Sequence, residues 1–545
     1  MNLTSEHTGS YRWLQLLIAL AVFANFAPLF VTVLGPDGTL YADISKTMAL
    51  NNDYVNLMWE DRDWLDKPHF PFWITALSFE LFGVHGWSYK LPGILFLMFG
   101  AWYTYRLGYR LYSKQTGLAA ALILLTAEHI LLSSNDVRAE PYLTGLLVAA
   151  VFHFVCLNER FRMIDLLLGS LFTACAIMTK GIFAVIPIGG AIVGHQLITG
   201  RWRQLFRWKW LLTILLTLIF ITPELYTLWV QFDSHPEKVV FGRTGVSGIK
   251  FFFWDSQFGR FFNTGPIKGK GDPSFFIHTT LWAFLPWSIL LFIAIGRRCG
   301  KIREAGLEWY SFFAAMLAFF LFSLSRFQLP HYLNIVFPFF ALLTADYLLK
   351  LRSTLTLRRI YTMQTVLVVL LFIGGFLLQM FYEPARWGWL MLAGGVLAVI
   401  IMLPGNVTFL QQRILTLSAT AIIVINLYLF WVIYPDLLRY QSGSEIASLA
   451  KKGYPGVPVA AYKFSSSALE FYLDAPLYRI DTLAALDTLP RPLLLITPDV
   501  AVSDTSGPGP LHIFPEFRIS RLNGKFINKK RRAGQVQWQK LELLR

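Results

Sequence analysis

Residues 13–34 read WLQLLIALAVFANFAPLFVTVL and carry no charged side chain. A helix of this length crosses the hydrocarbon layer of a bilayer, which is roughly 30 Å thick. Comparable apolar blocks recur along the chain, and they are continuous rather than alternating, so helices satisfy their backbone groups in lipid. The first block is long, lacks a small-residue cleavage site and is followed by further spans. We therefore expect it to stay as an anchor rather than to be removed as a signal peptide.

The composition also indicates a membrane protein. Hydrophobic residues make up 55% of the 545 residues and charged residues only 15%, whereas soluble domains usually carry about a quarter charged residues. Much of the net charge of +15 lies in short loops between apolar blocks, as the positive-inside rule predicts, which argues against nucleic-acid binding. None of the three cysteines falls in a long outward segment, so no disulfide framework is implied.

Basic loops predict the orientation of the chain. Placing Arg106, Arg110 and Lys114 inside makes the first span run outward, and the later basic loops then also fall inside. We expect a mainly α-helical polytopic protein with about thirteen transmembrane helices, an internal N-terminus and an external C-terminus.

Two domains are expected. Residues 1–434 form the predicted transmembrane domain, with long outward loops at 35–87 and 223–277. Residues 435–545 form a small extracytoplasmic α/β domain, with strands expected at 457–462, 492–496 and 511–514. Near its end, Lys525, Lys529, Lys530, Arg531 and Arg532 form a basic cluster, which is either a solvated face or a surface attracted to anionic headgroups.

Ionisable residues collect at the predicted outer edge of the spans, where such groups are expensive and suggest function. They come from four stretches of the chain: Asp37, Asp66 and Lys67; Asp136, Arg138 and Glu140; Arg260 and His278; and Arg326, beside Tyr332. The chain has no Gly-rich phosphate loop, no HExxH motif and no Cys/His zinc spacing. The Asp61-Arg62-Asp63 triplet has the Asp-x-Asp form of nucleotide-sugar transferases, but a three-residue match without a nucleotide fold is weak.

Several short motifs occur in a known order. They are residues 35–44 (GPDGTLYADI), 64–69 (WLDKPH), 136–140 (DVRAE), 179–181 (TKG), 258–261 (FGRF), 285–288 (LPWS) and 325–332 (SRFQLPHY). Together they resemble the membrane glycosyltransferases of the GT-C class, most closely the aminoarabinose transferases acting on lipid A and their relatives, the protein O-mannosyltransferases. The chain departs from the family pattern at Gly38, Leu40, Trp64, Asp66 and His69, which bears on the sugar and acceptor more than on the reaction class.

The resemblance implies a GT-C fold and a polyprenyl-phosphate sugar as donor, bound at the outer leaflet. It implies lipid A or another outer-leaflet glycolipid as acceptor, with 4-amino-4-deoxy-L-arabinose as the candidate sugar. Breaking the sugar–phosphate bond leaves negative charge on the lipid phosphate, which needs fixed positive groups. Asp37 matches the essential acid of the family. It takes a proton from a hydroxyl acceptor or, with an ionised phosphate as acceptor, orients substrates or stabilises positive charge on the sugar.

The predicted site residues follow from these matches. The catalytic residues are Asp37, Lys67, Asp136 and Glu140, and the lipid-phosphate or substrate ligands are Tyr41, Lys67, Arg138, Arg260, Arg326 and Tyr332. In aminoarabinose transferases an acid before the Lys and a later His hold a divalent metal, so the resemblance implies zinc at Asp66 and His278. Two protein ligands make a poor zinc site unless phosphate or water completes it.

Two alternatives stay open at this point. One is a related enzyme that modifies protein Ser/Thr with the same donor class. The other is a lipid or sugar transporter, for which ionisable residues at mid-span and paired broken repeats are expected. The expected location is the bacterial inner membrane, surrounded by membrane lipids, with the active site and C-terminal domain on the periplasmic side and no nucleic-acid partner.

Overall fold

A computed structural model describes residues 11–302, 304–403, 410–498 and 512–545. Within these ranges the chain is mainly α-helical, as the sequence predicts. The first helices are α1 Arg12–Phe26, α2 Asp37–Asn51, α3 Phe70–Phe82, α4 Gly86–Leu111, α5 Lys114–Leu125, α6 Glu128–Asn135, α7 Glu140–Glu159, α8 Met163–Lys180, α9 Val185–Ile198, α10 Trp208–Phe220, α11 Thr222–Leu228, α12 Gly248–Lys250 and α13 Arg260–Phe262. The later helices are α14 Phe275–Ala283, α15 Ser288–Cys299, α16 Tyr310–Leu324, α17 Phe337–Lys350, α18 Thr354–Tyr382, α19 Gly388–Met402, α20 Leu410–Tyr428, α21 Tyr434–Leu437, α22 Ser442–Gly453, α23 Ser467–Tyr472, α24 Gly524–Ile527 and α25 Lys529–Arg532.

Several helical segments are long and apolar enough to cross a membrane. Seven such segments occur in the described ranges: Arg12–Phe30, Glu140–Glu159, Met163–Lys180, Trp208–Asp233, Pro330–Lys350, Thr354–Tyr382 and Leu410–Tyr440. The helices α5 and α6, bent by 54° at their junction, together make one more candidate. Shorter apolar helices are Phe70–Phe82, Ile182–Ile198, Tyr310–Leu324 and Gly388–Met402. The chain is a multi-pass membrane protein.

Helix α7 lies at the centre of the bundle, between α4 and α8. Close packing against α4 depends on Gly145, because a Cβ there would lie 2.4 Å from the carbonyl oxygen of Phe96. Small residues allow such close approach of helices in membranes. This packing fixes the end of α7 that begins with Glu140.

The strands fall into two small sheets. β1 Met58–Trp59 and β2 Arg62–Asp63 pair antiparallel in the loop before α3. The second sheet has the order β4-β3-β5-β7-β6, formed by β3 Val459–Tyr462, β4 Leu477–Ile480, β5 Leu493–Pro498, β6 His512–Glu516 and β7 Gln537–Leu544. β3 is parallel to β4 and β5, whereas β7 is antiparallel to β5 and β6. Strands β3, β5 and β6 lie where the sequence predicts strands, although Leu511 lies outside the described residues.

Candidate active site

Two cations share one carboxylate in the loop before α3. Asp66 forms ion pairs with its neighbour Lys67 and with Arg260, the first residue of α13. The side chains of Asp66, Lys67 and Arg260 are 24%, 15% and 13% exposed. Burial raises the pKa of Asp66, but Lys67 and Arg260 outweigh it and lower this pKa to about 2. The cluster has an excess of one positive charge at neutral pH, which suits it to an anionic ligand.

A second ion pair joins the ends of α7 and α8. Glu140 pairs with Lys180, and Nε2 of His331 lies 3.6 Å from Oε1 of Glu140. The Lys180 ammonium lies 3.8 Å from the ring centroid of Tyr332. Glu140 and Tyr332 are predicted site residues, whereas the site predictions omitted Lys180 and His331. Both lie in motifs, at 179–181 and 325–332, and Lys180 is also one of the ionisable residues at the predicted outer edge.

A third cluster contains Asp37, Asp136 and Arg138. The Arg138 Nε lies 3.0 Å from both carboxylate oxygens of Asp136, and Nη1 lies 2.5 Å from Oδ2 of Asp37. Asp37 is the first residue of α2, where the helix dipole favours a negative charge, and its side chain is 45% exposed. Arg138 thus holds Asp37 in place while one side of the carboxylate stays open to a substrate.

Tyr41 lies within electrostatic range of all three clusters. Burial raises the pKa of its hydroxyl well above the usual value, and the negative charges of Asp66, Asp37 and Glu140 raise it further, while Arg138 lowers it. One carboxylate from each cluster therefore acts on the same hydroxyl. The ring centroid of Tyr41 lies 5.5 Å from that of Phe72, which fixes the ring against α3.

A cavity opens beside the Asp66 cluster. Its polar walls are formed by Asp66, Lys67, Lys180, Glu224, Gln257, Arg260 and Tyr332, and its aromatic walls by Phe183, Phe251, Phe252, Phe261, Phe322 and Phe327. The space, including its open mouth, is about 950 Å³. Cations set in an apolar wall suit a ligand with an anionic head and a hydrocarbon chain.

The loop that carries Asp66 and Lys67 is tied down by a buried pair. Glu224 on α11 accepts hydrogen bonds from the backbone N–H of His69 at 3.0 Å and lies 3.1 Å from its Nδ1. His69 and Glu224 are both fully buried, and the other ring nitrogen of His69 lies 3.0 Å from the carbonyl oxygen of Val55. His69 replaces a Pro of the family motif, and in this chain it anchors the loop through side-chain hydrogen bonds.

Gly181 permits the contact that brings Arg260 to the cavity. Its φ of +89° is a conformation that favours glycine, and a Cβ at this position would lie 2.2 Å from Nε2 of Gln257. The Gln257 amide donates to the carbonyl oxygen of Lys180 at 2.9 Å. The segment before α13 therefore packs directly on the end of α8.

Arg326 and His278 lie differently from the other predicted residues. The backbone N–H of Arg326 donates to the carbonyl oxygen of Phe261 at 3.1 Å, but its exposed side chain does not line the cavity. His278 is exposed on α14 and packs against Phe275. The Asp66 carboxylate is already shared by two cations, and the described residues contain no group of three His, Cys, Asp or Glu side chains placed to hold a metal. The residues present do not fit a resident metal between Asp66 and His278.

The C-terminal region holds the segment that carries Asp37. Gln441 accepts from the N–H of Gly35 at 2.8 Å and donates to the carbonyl oxygen of Val33 at 3.0 Å. The N–H of Val33 donates to the Tyr472 hydroxyl at 2.8 Å. Further along α2, Lys46 donates to three carbonyl oxygens at the end of α23 at 2.7–3.0 Å. No local pattern in the sequence indicates these contacts, because more than 400 positions separate Gln441 from its partners.

Comparison with known proteins identifies a matching family and similar chains. Residues 66–227 match the family described as dolichyl-phosphate-mannose-protein mannosyltransferase. The undecaprenyl phosphate-α-4-amino-4-deoxy-L-arabinose arabinosyl transferase of Pseudomonas aeruginosa (strain UCBPP-PA14) is 29% identical over 330 residues, which are 59% of this chain and 56% of that protein. The Erwinia tasmaniensis protein of the same name is 25% identical, over 58% of this chain and 56% of its own. The matches thus span little more than half the length of these curated relatives.

Solved structures extend the likeness to the whole fold. ArnT from Cupriavidus metallidurans bound to undecaprenyl phosphate superposes with a TM-score of 0.73 at 19% identity, covering 98% of each chain. The apo form of the same protein gives a TM-score of 0.69 at 20% identity, covering 90% of this chain and 93% of that one. The chain therefore has the GT-C fold of these solved structures.

Proposed function

We propose that the protein is a glycosyltransferase that moves a sugar from a polyprenyl phosphate to lipid A or another outer-leaflet acceptor. The observation that carries this proposal is the Lys67–Asp66–Arg260 cluster in the wall of an aromatic cavity. A departing lipid phosphate needs such preorganised cations. The names of the curated relatives and the undecaprenyl phosphate bound by the Cupriavidus protein support the donor class. They also support 4-amino-4-deoxy-L-arabinose as the sugar.

The proposed reaction uses the clusters as follows. The donor phosphate lies against Lys67 and Arg260, with the hydroxyl of Tyr332 as a further donor and the hydrocarbon chain along the aromatic wall. As the bond between the sugar and the phosphate oxygen breaks, its electron pair stays on the phosphate. The acceptor oxygen attacks the sugar from the opposite side, so the configuration at the sugar carbon inverts. The negative charge that the departing phosphate gains thus develops beside fixed cations.

Asp37 faces the acceptor side in this proposal. With a hydroxyl acceptor the Asp37 carboxylate takes its proton. With an ionised phosphate acceptor no base is needed, and Asp37 orients the substrates and stabilises positive charge on the sugar. Asp136 positions Asp37 through Arg138, and Glu140 positions Lys180. Tyr41 donates a hydrogen bond from its hydroxyl to substrate, and its raised pKa keeps the proton on the oxygen. Arg326 serves at the mouth of the site, beside Phe261.

The decisive experiment combines one substitution with lipid analysis. Asp37→Asn keeps the shape of the side chain but removes its charge, so transfer should be abolished while the melting temperature stays close to that of the wild type. Asp61→Asn is the matched control, because Asp61 is an exposed carboxylate of the same loop. Envelope lipids from cells with each variant, and without the gene, are compared by mass spectrometry. Full transfer by Asp37→Asn contradicts the proposal.

Protein O-glycosylation is the second candidate, because the matched family is described by a protein acceptor. The donor and the cation cluster would be the same, and only the acceptor would differ. An unchanged lipid profile together with lost glycosylation of envelope proteins favours this candidate. A transporter is less favoured, since Glu140 begins α7 and Lys180 ends α8, so these charges lie at helix ends rather than at mid-span.

The topology belongs to the proposal as well. We place about thirteen spans in the inner membrane, with residues 1–434 as the catalytic domain and the loops 35–87 and 223–277 on the periplasmic side. Residues 435–545 form a periplasmic α/β domain. Single cysteines introduced at exposed positions, such as Asp61 and Lys463, should react with a membrane-impermeant maleimide in intact spheroplasts. One introduced at Arg201 should react only after lysis, and the reverse pattern contradicts this orientation.

A further inference from the structure

The turn between α18 and α19 marks the level of a membrane surface. These two consecutive apolar helices are joined by residues 383–387. A short irregular connection between two spans does not stay in the hydrocarbon layer, where its backbone groups would lack partners. Trp387 and Trp389 at this turn are 46% and 43% exposed, and exposed Trp side chains favour headgroup level.

The basic cluster near the C-terminus is fastened to this turn. The buried guanidinium of Arg532 donates to the carbonyl oxygen of Tyr382, the last residue of α18, at 2.7 Å, and lies 4.0 Å from its ring centroid. Lys529 pairs with Glu383 at 2.9 Å. Phe526 is fully buried and stacks on Phe517 with ring centroids 3.9 Å apart. Residues 524–532 are therefore held at the same level as the α18–α19 turn.

The remaining cations of this segment point outward. Lys525, Lys530 and Arg531 are exposed, and among the described residues none of the three forms an ion pair within 4 Å. Arg386, in the α18–α19 turn itself, is exposed as well. Two basic residues of the cluster thus attach it to the turn, while the three others and Arg386 are exposed and form no ion pair within 4 Å among the described residues.

We infer that Lys525, Lys530, Arg531 and Arg386 form a docking surface for the phosphate groups of anionic phospholipids in this leaflet. Basic residues within a Debye length of a negatively charged membrane are attracted to it additively. The exposed Trp side chains give the same surface an interfacial anchor. Through Arg532 and Tyr440, which are hydrogen-bonded, this contact holds the C-terminal region at a fixed height. The inference stands independently of the proposed reaction.

The test counts lipids retained by the full-length protein. Wild type is extracted from bilayers that contain phosphatidylglycerol and phosphatidylcholine, and bound lipids are measured by native mass spectrometry. The variant Lys525→Gln/Lys530→Gln/Arg531→Gln should lose the preference for phosphatidylglycerol by about threefold or more. The control Lys452→Gln/Lys463→Gln/Arg491→Gln removes the same number of charges from exposed positions elsewhere in the C-terminal region and should keep it. Melting temperatures confirm folding, and single variants at Lys530 and Arg531 replace the triple variant if it unfolds.

Several results would overturn the inference. If the wild type retains phosphatidylglycerol and phosphatidylcholine equally, it has no preference for anionic phospholipids, and the inference is wrong. If the cluster variant, or the single variants that replace it, retain as much phosphatidylglycerol as the wild type, these residues do not bind the lipid. If the control variant loses as much phosphatidylglycerol as the cluster variant, the preference depends on net charge and not on this surface. Displacement of the lipid by soluble glycerol phosphate at equal phosphate concentration shows that the surface takes a free phosphate instead of a membrane lipid.

Discussion

Replacing Gln441 by Ala is expected to slow transfer without weakening donor binding. The Gln441 amide bridges the backbone just before Asp37, through hydrogen bonds with Gly35 N–H at 2.8 Å and Val33 carbonyl oxygen at 3.0 Å. Gln441 is only 8% exposed, so water has little access to these hydrogen-bonded groups. Alanine leaves both backbone groups without their partner. The segment that leads into α2 then loses a constraint that keeps Asp37 beside Arg138.

The magnitude follows from the two lost hydrogen bonds. Each unsatisfied buried group costs about 1–3 kcal/mol. The hydrogen bond from Val33 N–H to Tyr472 remains, and local relaxation recovers part of the loss, so we expect about 1–2 kcal/mol less free energy of unfolding. The same range corresponds to about a tenfold lower kcat. The KM for the donor should change by less than about twofold, because neither Lys67 nor Arg260 contacts Gln441.

The assay measures kcat and KM for purified protein in liposomes with a polyprenyl-phosphate sugar and a lipid acceptor. Gln441→Glu keeps the acceptor for Gly35 N–H but sets a carboxylate oxygen against the carbonyl oxygen of Val33, so it should show an intermediate loss. Gln537→Ala is the control, since Gln537 is exposed on β7. An unchanged kcat in Gln441→Ala, or a loss confined to KM, would refute this reasoning.

Three further predictions concern charged side chains. Lys180→Met leaves the Glu140 carboxylate buried without its cation, so the free energy of unfolding should fall by about 3–5 kcal/mol. The double variant Glu140→Gln/Lys180→Met should regain most of this loss. Equal melting temperatures of the single and the double variant would count against this pairing. Burial raises the pKa of both Asp43 and Glu470, which interact, and Lys46 opposes the rise at Asp43, so ionisation of this pair lowers stability as pH rises above about 4. Asp43→Asn should therefore raise the melting temperature at pH 8 but not at pH 4, and an equal gain at both would exclude ionisation as the cause. Chelation by EDTA should leave transfer unchanged, because Lys67 and Arg260 already occupy the Asp66 carboxylate; a loss restored by zinc would contradict this.

Local chemistry determined much of the fold. Uncharged runs such as residues 13–34 have one stable form in lipid, because only helices satisfy their own backbone groups there. The short strands at 457–462 and 492–496 could be predicted for a similar local reason, because each is an apolar run bounded by turn residues. The β7 strand was not predicted, because its alternating charged residues and short buried face give only a weak pattern in sequence.

The site was determined from the sequence only in part. Asp66 and Lys67 are neighbours in the chain, so both were expected at one site, and the one-sided distribution of polar residues indicated a common edge. The pairing of Asp66 with Arg260 joins residues 194 positions apart, and the bridge from Gln441 to Gly35 joins residues 406 apart. Contacts of this kind depend on how helices pack and on which carboxylate best compensates a buried cation. A single sequence does not record that balance, and only the tertiary structure decided it.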